Sequence, residues 1–179
     1  GTDAVHQGVM IEVEPLPEPD FHKLAEDAGG RPLLVLDQVT DPHNVGAIMR
    51  SAVAFNAGAL ITTARHSPQE SGVLAKAASG ALEMIPHVEV RNLSDALIEV
   101  AALGFQTIGL DSEGEAELEN SFSGQKIALV LGAEGKGLRQ KTRETVETLA
   151  RLEMPGAIKS LNVSNAAALS LYAARKYLK

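Results

Sequence analysis

The stretch Met154-Pro-Gly-Ala-Ile-Lys-Ser-Leu-Asn-Val-Ser-Asn165 concentrates small and amide-bearing residues directly before a long apolar run. That run, residues 166–177, has the spacing of an α-helix. A Pro-Gly turn followed by serines and asparagines at a helix start supplies side chains that cap backbone N–H groups or face a ligand. From this segment alone, helix capping and a ligand site explain the pattern about equally well.

Toward the N-terminus, short apolar strands alternate with helical segments. We predict strands at 32–37, 59–63, 84–90, 105–110, 126–131 and 149–154, and helices at 45–55, 72–81, 93–103, 138–148 and 166–177. The alternation predicts an α/β fold with a mostly parallel sheet and helices on both faces. Because ligands of such sheets bind at the carboxyl ends of the strands, the loops that follow strands are the candidate site.

Composition narrows the class of protein. The chain has 179 residues, of which 45% are hydrophobic and 22% charged, as expected for one globular domain. It contains no cysteine, which excludes disulfides, cysteine-ligated zinc and thiol nucleophiles. It shows neither a secretory signal nor an apolar run of about 18 residues, so we expect a soluble, cytoplasmic protein that does not bind membranes.

The charge is unevenly distributed. The net charge is −7, and residues 1–30 hold seven acids against Lys23 alone. Residues 111–119 add five acids and no base, so the remainder is net basic and compatible with an RNA partner. Prolines alternate with acids in residues 14–20, which favours an extended chain. We therefore predict an acidic, proline-rich linker over 1–30, the tail of a missing N-terminal domain, and a globular domain over 31–179.

The loop after the first predicted strand feeds a helix through Asp41-Pro-His-Asn-Val-Gly46. Asn44 has the character of a helix N-cap, and Arg50 lies nearly two turns further along. A capped helix with a surface arginine is the simpler interpretation of this loop alone.

A second loop, Leu131-Gly-Ala-Glu-Gly-Lys-Gly137, lies between a buried strand and a helix. A phosphate-binding loop would need glycine at Val130 and a hydroxyl residue at Gly137, so that motif is absent. The dinucleotide fingerprint would need glycine at Gln140 and is also absent. Two interpretations remain: a glycine-rich ligand loop that carries Glu134, or a tight turn with only a structural role.

Taken together, these segments resemble the three ordered motifs of the SpoU (TrmH-like) RNA ribose 2′-O-methyltransferases of the SPOUT superfamily. The matching segments are Asp41–Gly46 with Arg50, Leu131–Gly135 with Gly137, and Ser160-Leu-Asn-Val-Ser164, and the similarity extends over about residues 33–179. The chain looks most like the bacterial 23S rRNA guanosine-2′-O-methyltransferases. Residues 4–9 resemble the segment that joins an L30e-like RNA-binding domain to the catalytic domain in those enzymes.

The resemblance implies an α/β fold with a C-terminal trefoil knot that binds S-adenosylmethionine. It also implies a homodimer in which both subunits build each active site, RNA as the substrate, and no metal. By position, the implied catalytic residues are Asn44, Arg50, Glu134, Ser160 and Asn162. The implied cofactor contacts are Leu110, Gly132, Leu152, Met154 and Leu161. Lys159 and Asn165 depart from the residue types common in related rRNA enzymes, which leaves substrate contacts at those positions open.

The expected reaction is methylation of a ribose 2′-hydroxyl in structured RNA, with a guanosine of 23S rRNA as the expected target. A guanidinium group holds its proton, so Arg50 suits stabilisation of the developing alkoxide better than proton abstraction. A tRNA ribose methyltransferase and a non-catalytic RNA-binding assembly factor are the alternatives. Arg139, Lys141, Arg143 and Arg151 belong either to a solvated charged surface or to an RNA path.

Overall fold

The computed structural model describes residues 20–65 and 72–179. One sheet of seven strands runs in the order β3-β2-β1-β6-β4-β7-β5, and every neighbouring pair is parallel. The strands are β1 Leu33–Asp37, β2 Ala59–Thr63, β3 His87–Val90, β4 Gln106–Leu110, β5 Ala116–Glu117, β6 Ile127–Gly132 and β7 Thr148–Arg151. The helices are α1 Phe21–Ala28, α2 Pro42–Ala54, α3 Gly72–Ala78, α4 Leu93–Ala102, α5 Leu118–Ser121, α6 Gln140–Thr145 and α7 Val163–Tyr177, with a 3₁₀ turn at Ala81–Glu83.

Both faces of the sheet are covered, as predicted. Alternate side chains of β1 point to opposite faces, so Leu34 and Leu36 belong to one buried cluster and Leu33 and Val35 to the other. The first cluster includes apolar side chains of α2, α3 and α7, and the second includes those of α1 and α4. Because both faces are buried, the central strands are apolar throughout and do not alternate.

Residues 21–28 form helix α1, so the linker prediction for 1–30 is wrong over this range. Phe21, Leu24, Ala25 and Ala28 recur at helical spacing and are all buried in the second cluster. Asp20 caps the helix by accepting a hydrogen bond from the backbone N–H of Lys23 at 3.1 Å. The proline-rich stretch 14–20, apart from Asp20, and residues 4–9 lie outside the described residues.

Three helix starts differ from the prediction, and α6 begins at Gln140 rather than at 138. Asp41, not Asn44, is the N-cap of α2, because its carboxylate accepts from the backbone N–H of His43 at 2.9 Å and Pro42 occupies the first turn. Helix α7 begins at Val163, with Asn162 as its N-cap, rather than at 166. The short elements β5 and α5 were not predicted, since two to four residues carry too little periodicity to detect.

Helices α2 and α7 lie side by side and run in the same direction. Asn44 contacts Asn162 near their amino ends, while the rings of Phe55 and Tyr172 meet edge to face at 6.0 Å further along. Both helices therefore present their amino ends at the carboxyl edge of the sheet. Across residues 20–65 and 72–179, no helix has the length and apolar character needed to cross a membrane.

Candidate active site

Strand order places three loops together at the carboxyl edge of the sheet. Strand β6 lies between β1 and β4, and Asp37 at the end of β1 is in register with Gly132 at the end of β6. From β1 the chain moves to β2 on one side, whereas β4 lies on the other side of β6. Such a change of direction opens a crevice at the strand ends, where α/β proteins bind ligands.

The glycine-rich loop after β6 is a tight turn. The backbone N–H of Gly137 donates to the carbonyl of Ala133 at 2.8 Å, and Gly135 and Gly137 have φ angles of +77° and +67°. The loop folds back over Gly132, where an added Cβ would lie 2.1 Å from the carbonyl carbon of Gly137. The structural interpretation of the glycines is thus correct, and it does not exclude a ligand, because the same turn walls a cavity.

The first cavity, of about 350 Å³, lies between the glycine-rich loop and the connection from β7 to α7. Its lining includes all five residues predicted to contact a cofactor, which are Leu110, Gly132, Leu152, Met154 and Leu161. Asp111, Ser112 and Glu113 add polar groups from the loop after β4, and Ser160 and Glu134 complete the polar side. Lys136, Arg143 and Lys159 also line the cavity, so polar and apolar side chains contribute in similar measure. A lining of this kind suits a small organic ligand that has both apolar and charged parts.

Three predicted catalytic side chains meet beside this cavity in what we term the amide–carboxylate cluster, formed by Asn44, Glu134 and Asn162. The Nδ2 of Asn162 lies 3.2 Å from both the Oδ1 of Asn44 and the Oε2 of Glu134. The Nδ2 of Asn44 donates to the same Oε2 at 3.5 Å. Residues 90 and 118 positions apart in the chain are thus joined at one point.

The cluster also lies at the amino ends of two helices. Asn162 caps α7, since its Oδ1 accepts from the backbone N–H of Ser164 at 2.9 Å, and Asn44 belongs to the first turn of α2. Helix amino ends favour nearby negative charge, which suits the position of the Glu134 carboxylate. The Oε1 of Glu134 accepts no hydrogen bond from the described residues and is open to a ligand. Asn162 therefore caps α7 and also belongs to the candidate site.

Arg50 does not join the cluster. It is exposed on α2, it lines neither this cavity nor the two others described below, and it forms no hydrogen bond or ion pair within residues 20–65 and 72–179. Six residues along a helix correspond to about 9 Å of rise, with a rotation of roughly 120° away from Asn44. The structure thus brings Asn44, Glu134 and Asn162 together, puts Ser160 on the cavity wall, and leaves Arg50 apart.

Two ion pairs that the sequence did not reveal fix the glycine-rich loop and α6. The buried carboxylate of Asp37 accepts from the backbone N–H of Arg139 at 2.9 Å and from its Nε at 2.6 Å. One helical turn on, Arg143 pairs with Asp111. Since Asp37 is the last residue of β1 and Asp111 follows β4, the two arginines tie α6 to both neighbours of β6.

These contacts bear on the basic residues considered as an RNA path. Arg139 and Arg143 pair with carboxylates, and Arg151 lies 3.6 Å from Glu117 and donates to the carbonyls of residues 114 and 115. Of the four basic residues, Lys141 is the one that forms no ion pair in the described part of the chain. The arginines therefore hold the loops of the site in place.

Replacing Arg139 with alanine should lower the free energy of unfolding by about 2 kcal/mol, because the fully buried side chain of Asp37 loses the guanidinium group that pairs with it. The backbone N–H of residue 139 still donates to Asp37, which limits the loss. Urea denaturation measures the effect, and Lys141→Ala is the matched control on the same helix. Equal stability of the two variants would contradict an anchoring role for Arg139.

No group of three or more histidine, aspartate or glutamate side chains is arranged to hold a metal ion in the described residues. In the amide–carboxylate cluster, the two amides donate hydrogen bonds to the single carboxylate.

Comparison with known proteins agrees with the sequence motifs. The model of the SpoU rRNA Methylase family matches residues 31–172. The 23S rRNA (guanosine-2′-O-)-methyltransferase RlmB of Ralstonia nicotianae is 44% identical over 176 residues, which are 97% of this chain and 70% of that protein. The putative TrmH family tRNA/rRNA methyltransferase YacO of Bacillus subtilis is 37% identical, over 93% of this chain and 69% of that protein.

Comparison with solved structures also finds SpoU methyltransferases. The SpoU methyltransferase AviRb from Streptomyces viridochromogenes superimposes with a TM-score of 0.80 at 26% identity, covering 91% of this chain and 65% of AviRb. The complex of AviRb with the cofactor AdoMet gives a TM-score of 0.71 at 29% identity, covering 81% of this chain and 57% of that chain. This chain therefore spans less than two thirds of AviRb. With the three motifs, the parallel sheet and the cavity at its switch point, these matches show that the chain belongs to the SpoU rRNA methylase family.

Proposed function

We propose that this chain methylates the 2′-hydroxyl of a ribose in structured RNA, with S-adenosylmethionine as methyl donor and a guanosine of 23S rRNA as target. The observation that carries the proposal is the contact between the first cavity and the amide–carboxylate cluster, which share Glu134. A methyl donor in the cavity and a hydroxyl at the cluster would be neighbours.

The first cavity has the chemistry that S-adenosylmethionine requires. Leu110, Leu152, Met154 and Leu161 supply apolar surface for an adenine ring. Gly135 has open space where a Cβ would be, so a ligand can approach the backbone there. When bound, the cofactor would supply an electrophilic methyl group on a positively charged sulfur, and the Glu134 carboxylate on the cavity wall has the opposite charge.

The protein's part is to position the hydroxyl and to manage its proton. In the transfer the ribose oxygen would bond to the methyl carbon as the sulfur–carbon bond breaks, and the hydroxyl proton would pass to the free carboxylate oxygen of Glu134 and from there to water. Glu134 has a free carboxylate oxygen to accept a hydrogen bond from that hydroxyl, while Asn44 and Asn162 hold the carboxylate in place. A correctly aligned pair of reactants accounts for several kcal/mol of the barrier in such transfers.

We also propose a homodimer in which Arg50 of one subunit serves the site of the other. An apolar groove of about 690 Å³ beside the first cavity supports this proposal, since two residues of α7 are solvent-exposed at its edge, Leu169 by 50% and Tyr172 by 53%. Leu152, Met154 and Leu161 line both the groove and the first cavity, so a subunit seated there would lie next to the cofactor. Exposed apolar surface of this kind is typical of a protein interface.

A C-terminal trefoil knot is part of the same proposal. Three separate connections, after β4, after β6 and after β7, meet at the first cavity, and Asn162 beyond them bonds back to both Asn44 and Glu134. A chain that threads its last segment through one of these loops would hold the three walls together.

The 23S rRNA target rests on the relatives named RlmB, seven of which are 37–44% identical to this chain. YacO, described as a tRNA/rRNA methyltransferase, is the observation that favours a tRNA ribose as the second candidate.

Calorimetry with S-adenosylmethionine, followed by methyl transfer to unmodified 23S rRNA and tRNA transcripts, tests the function. We expect binding at micromolar concentrations and a 2′-O-methyl group on one guanosine of the rRNA transcript. An absence of cofactor binding would instead support the non-catalytic assembly factor, and methylation of the tRNA alone would support the second candidate.

A further inference from the structure

A second cavity, of about 340 Å³, lies on the other side of the glycine-rich loop from the first. Gln38, Thr40, Asp41 and Asn44 line one side, after strand β1, and residues 133–139 apart from Gly135 line the other. Ala133, Glu134, Lys136, Gly137 and Leu138 line both cavities. The two cavities therefore meet at Glu134, with Asn44 on the wall of the second.

Gln38 stands out in this lining for its backbone and its side chain. Its φ of +57° is in the left-handed region, which costs a residue other than glycine roughly 1 kcal/mol. Its side chain is half-buried, yet its amide forms no hydrogen bond with any residue in 20–65 or 72–179. A strained backbone and an unpaired amide at a cavity wall suggest that the amide is kept for a ligand.

The other polar groups of the cavity define the chemistry of that ligand. One carboxylate oxygen of Asp41 accepts from the backbone N–H of His43 at 2.9 Å, and the other is free to accept from a ligand. The Gln38 amide offers one acceptor and two donors, and Lys136 offers further donors. Guanine presents two adjacent N–H donors beside a carbonyl acceptor on its Watson–Crick edge. A carboxylate can accept from the two donors, and an amide N–H in the same cavity lining can donate to the carbonyl.

We propose that the second cavity binds the guanine base of the target nucleotide and that Gln38 and Asp41 read its Watson–Crick edge. This inference rests on the proposed function. With the base in the second cavity, the ribose lies at the junction of the two cavities, beside Glu134 and Asn44. The methyl donor then approaches from the first cavity. Gln38 is thus a specificity-determining residue with no part in cofactor binding.

The test uses two substitutions that distinguish the effect of the side-chain amide from the effect of the strained backbone. Gln38→Gly removes the amide and adopts the left-handed conformation without strain, whereas Gln38→Leu keeps the bulk and the strain but removes the amide. Methyl transfer is measured on a 23S rRNA transcript and on the same transcript with 2-aminopurine, which keeps the 2-amino group but lacks the carbonyl oxygen, at the target position. Calorimetry with S-adenosylmethionine and thermal unfolding are recorded for each variant.

We expect kcat/KM for the RNA to fall about tenfold in both variants, through KM, with unchanged cofactor affinity. Gln38→Gly should be at least as stable as the wild type, so the loss cannot come from unfolding. Both variants should also discriminate less between guanosine and 2-aminopurine, since the amide that donates to the guanine carbonyl is absent. If Gln38→Gly keeps the wild-type KM and base preference, Gln38 is a structural residue and the inference is wrong. A wild-type chain that methylates no RNA would overturn the proposed function, and this inference with it.

Discussion

Replacing Arg50 with alanine should lower the rate of methyl transfer at saturating RNA and cofactor by about 100-fold or more, without weakening cofactor binding. Stabilising charge at a developing alkoxide is worth about this much when one donor is removed. The fold should be unaffected, since Arg50 is exposed and makes no polar contact with the described residues. Single-turnover transfer and calorimetry with S-adenosylmethionine measure the two quantities. Arg91→Ala, at an exposed arginine beyond strand β3, is the control for a general loss of positive charge.

Subunit mixing tests where Arg50 acts. Arg50→Ala and Glu134→Ala should each be inactive alone. If Arg50 crosses to the partner, a mixed dimer rebuilds one intact site from the Glu134 of one subunit and the Arg50 of the other, and an equal mixture regains about a quarter of wild-type activity. If Arg50 acts within its own subunit, the mixed dimer contains no intact site and the mixture stays inactive. Transfer by Arg50→Ala at the wild-type rate would remove Arg50 from the catalytic residues.

The sheet could be predicted from the sequence because its strands are short, apolar and separated by helical segments. Strands β1 and β6 are buried on both faces, so each is a continuous apolar run that is easy to recognise. Helix α1 was missed although its four apolar residues recur at helical spacing, since the acidic, proline-rich residues before it suggested a linker. The start of α2 was misplaced because Asp41 and Asn44 are both good caps and only the presence of Pro42 in the first turn favours Asp41.

The site was predictable in its residue types but not in its geometry. The five cofactor contacts that line the first cavity were predicted from the family resemblance. Hydrophobic periodicity does not show that the loops after β4, β6 and β7 meet in space. The Asp37–Arg139 pair joins residues 102 positions apart and depends on β6 inserting next to β1, which no local pattern encodes. The separation of Arg50 from the cluster follows from helix rotation, and a match of motifs does not report it.

Replacing Gly132 with alanine should weaken S-adenosylmethionine binding by about tenfold or more, which corresponds to the loss of one or more hydrogen bonds with the displaced loop. The added Cβ would lie 2.1 Å from the carbonyl carbon of Gly137, 2.3 Å from its oxygen and 2.4 Å from the nitrogen of Leu138. These are backbone atoms, so no side-chain rotation relieves the clash and the loop must move away from β6. That movement breaks the hydrogen bond between Ala133 and Gly137 and carries Glu134 away from Asn44 and Asn162. Calorimetry with the cofactor measures the loss.

Gly156→Ala is the control for this substitution. Gly156 lies in the exposed connection before α7, an added Cβ there meets no atom within 4 Å, and its φ is outside the left-handed region. The Gly156→Ala variant should bind the cofactor with wild-type affinity. Unfolding of Gly132→Ala should be easier by about 1–3 kcal/mol, as for other overpacked sites, and should stay cooperative. If Gly132→Ala bound S-adenosylmethionine with wild-type affinity, the cofactor would not depend on the position of the glycine-rich loop. The first cavity would then not be its site.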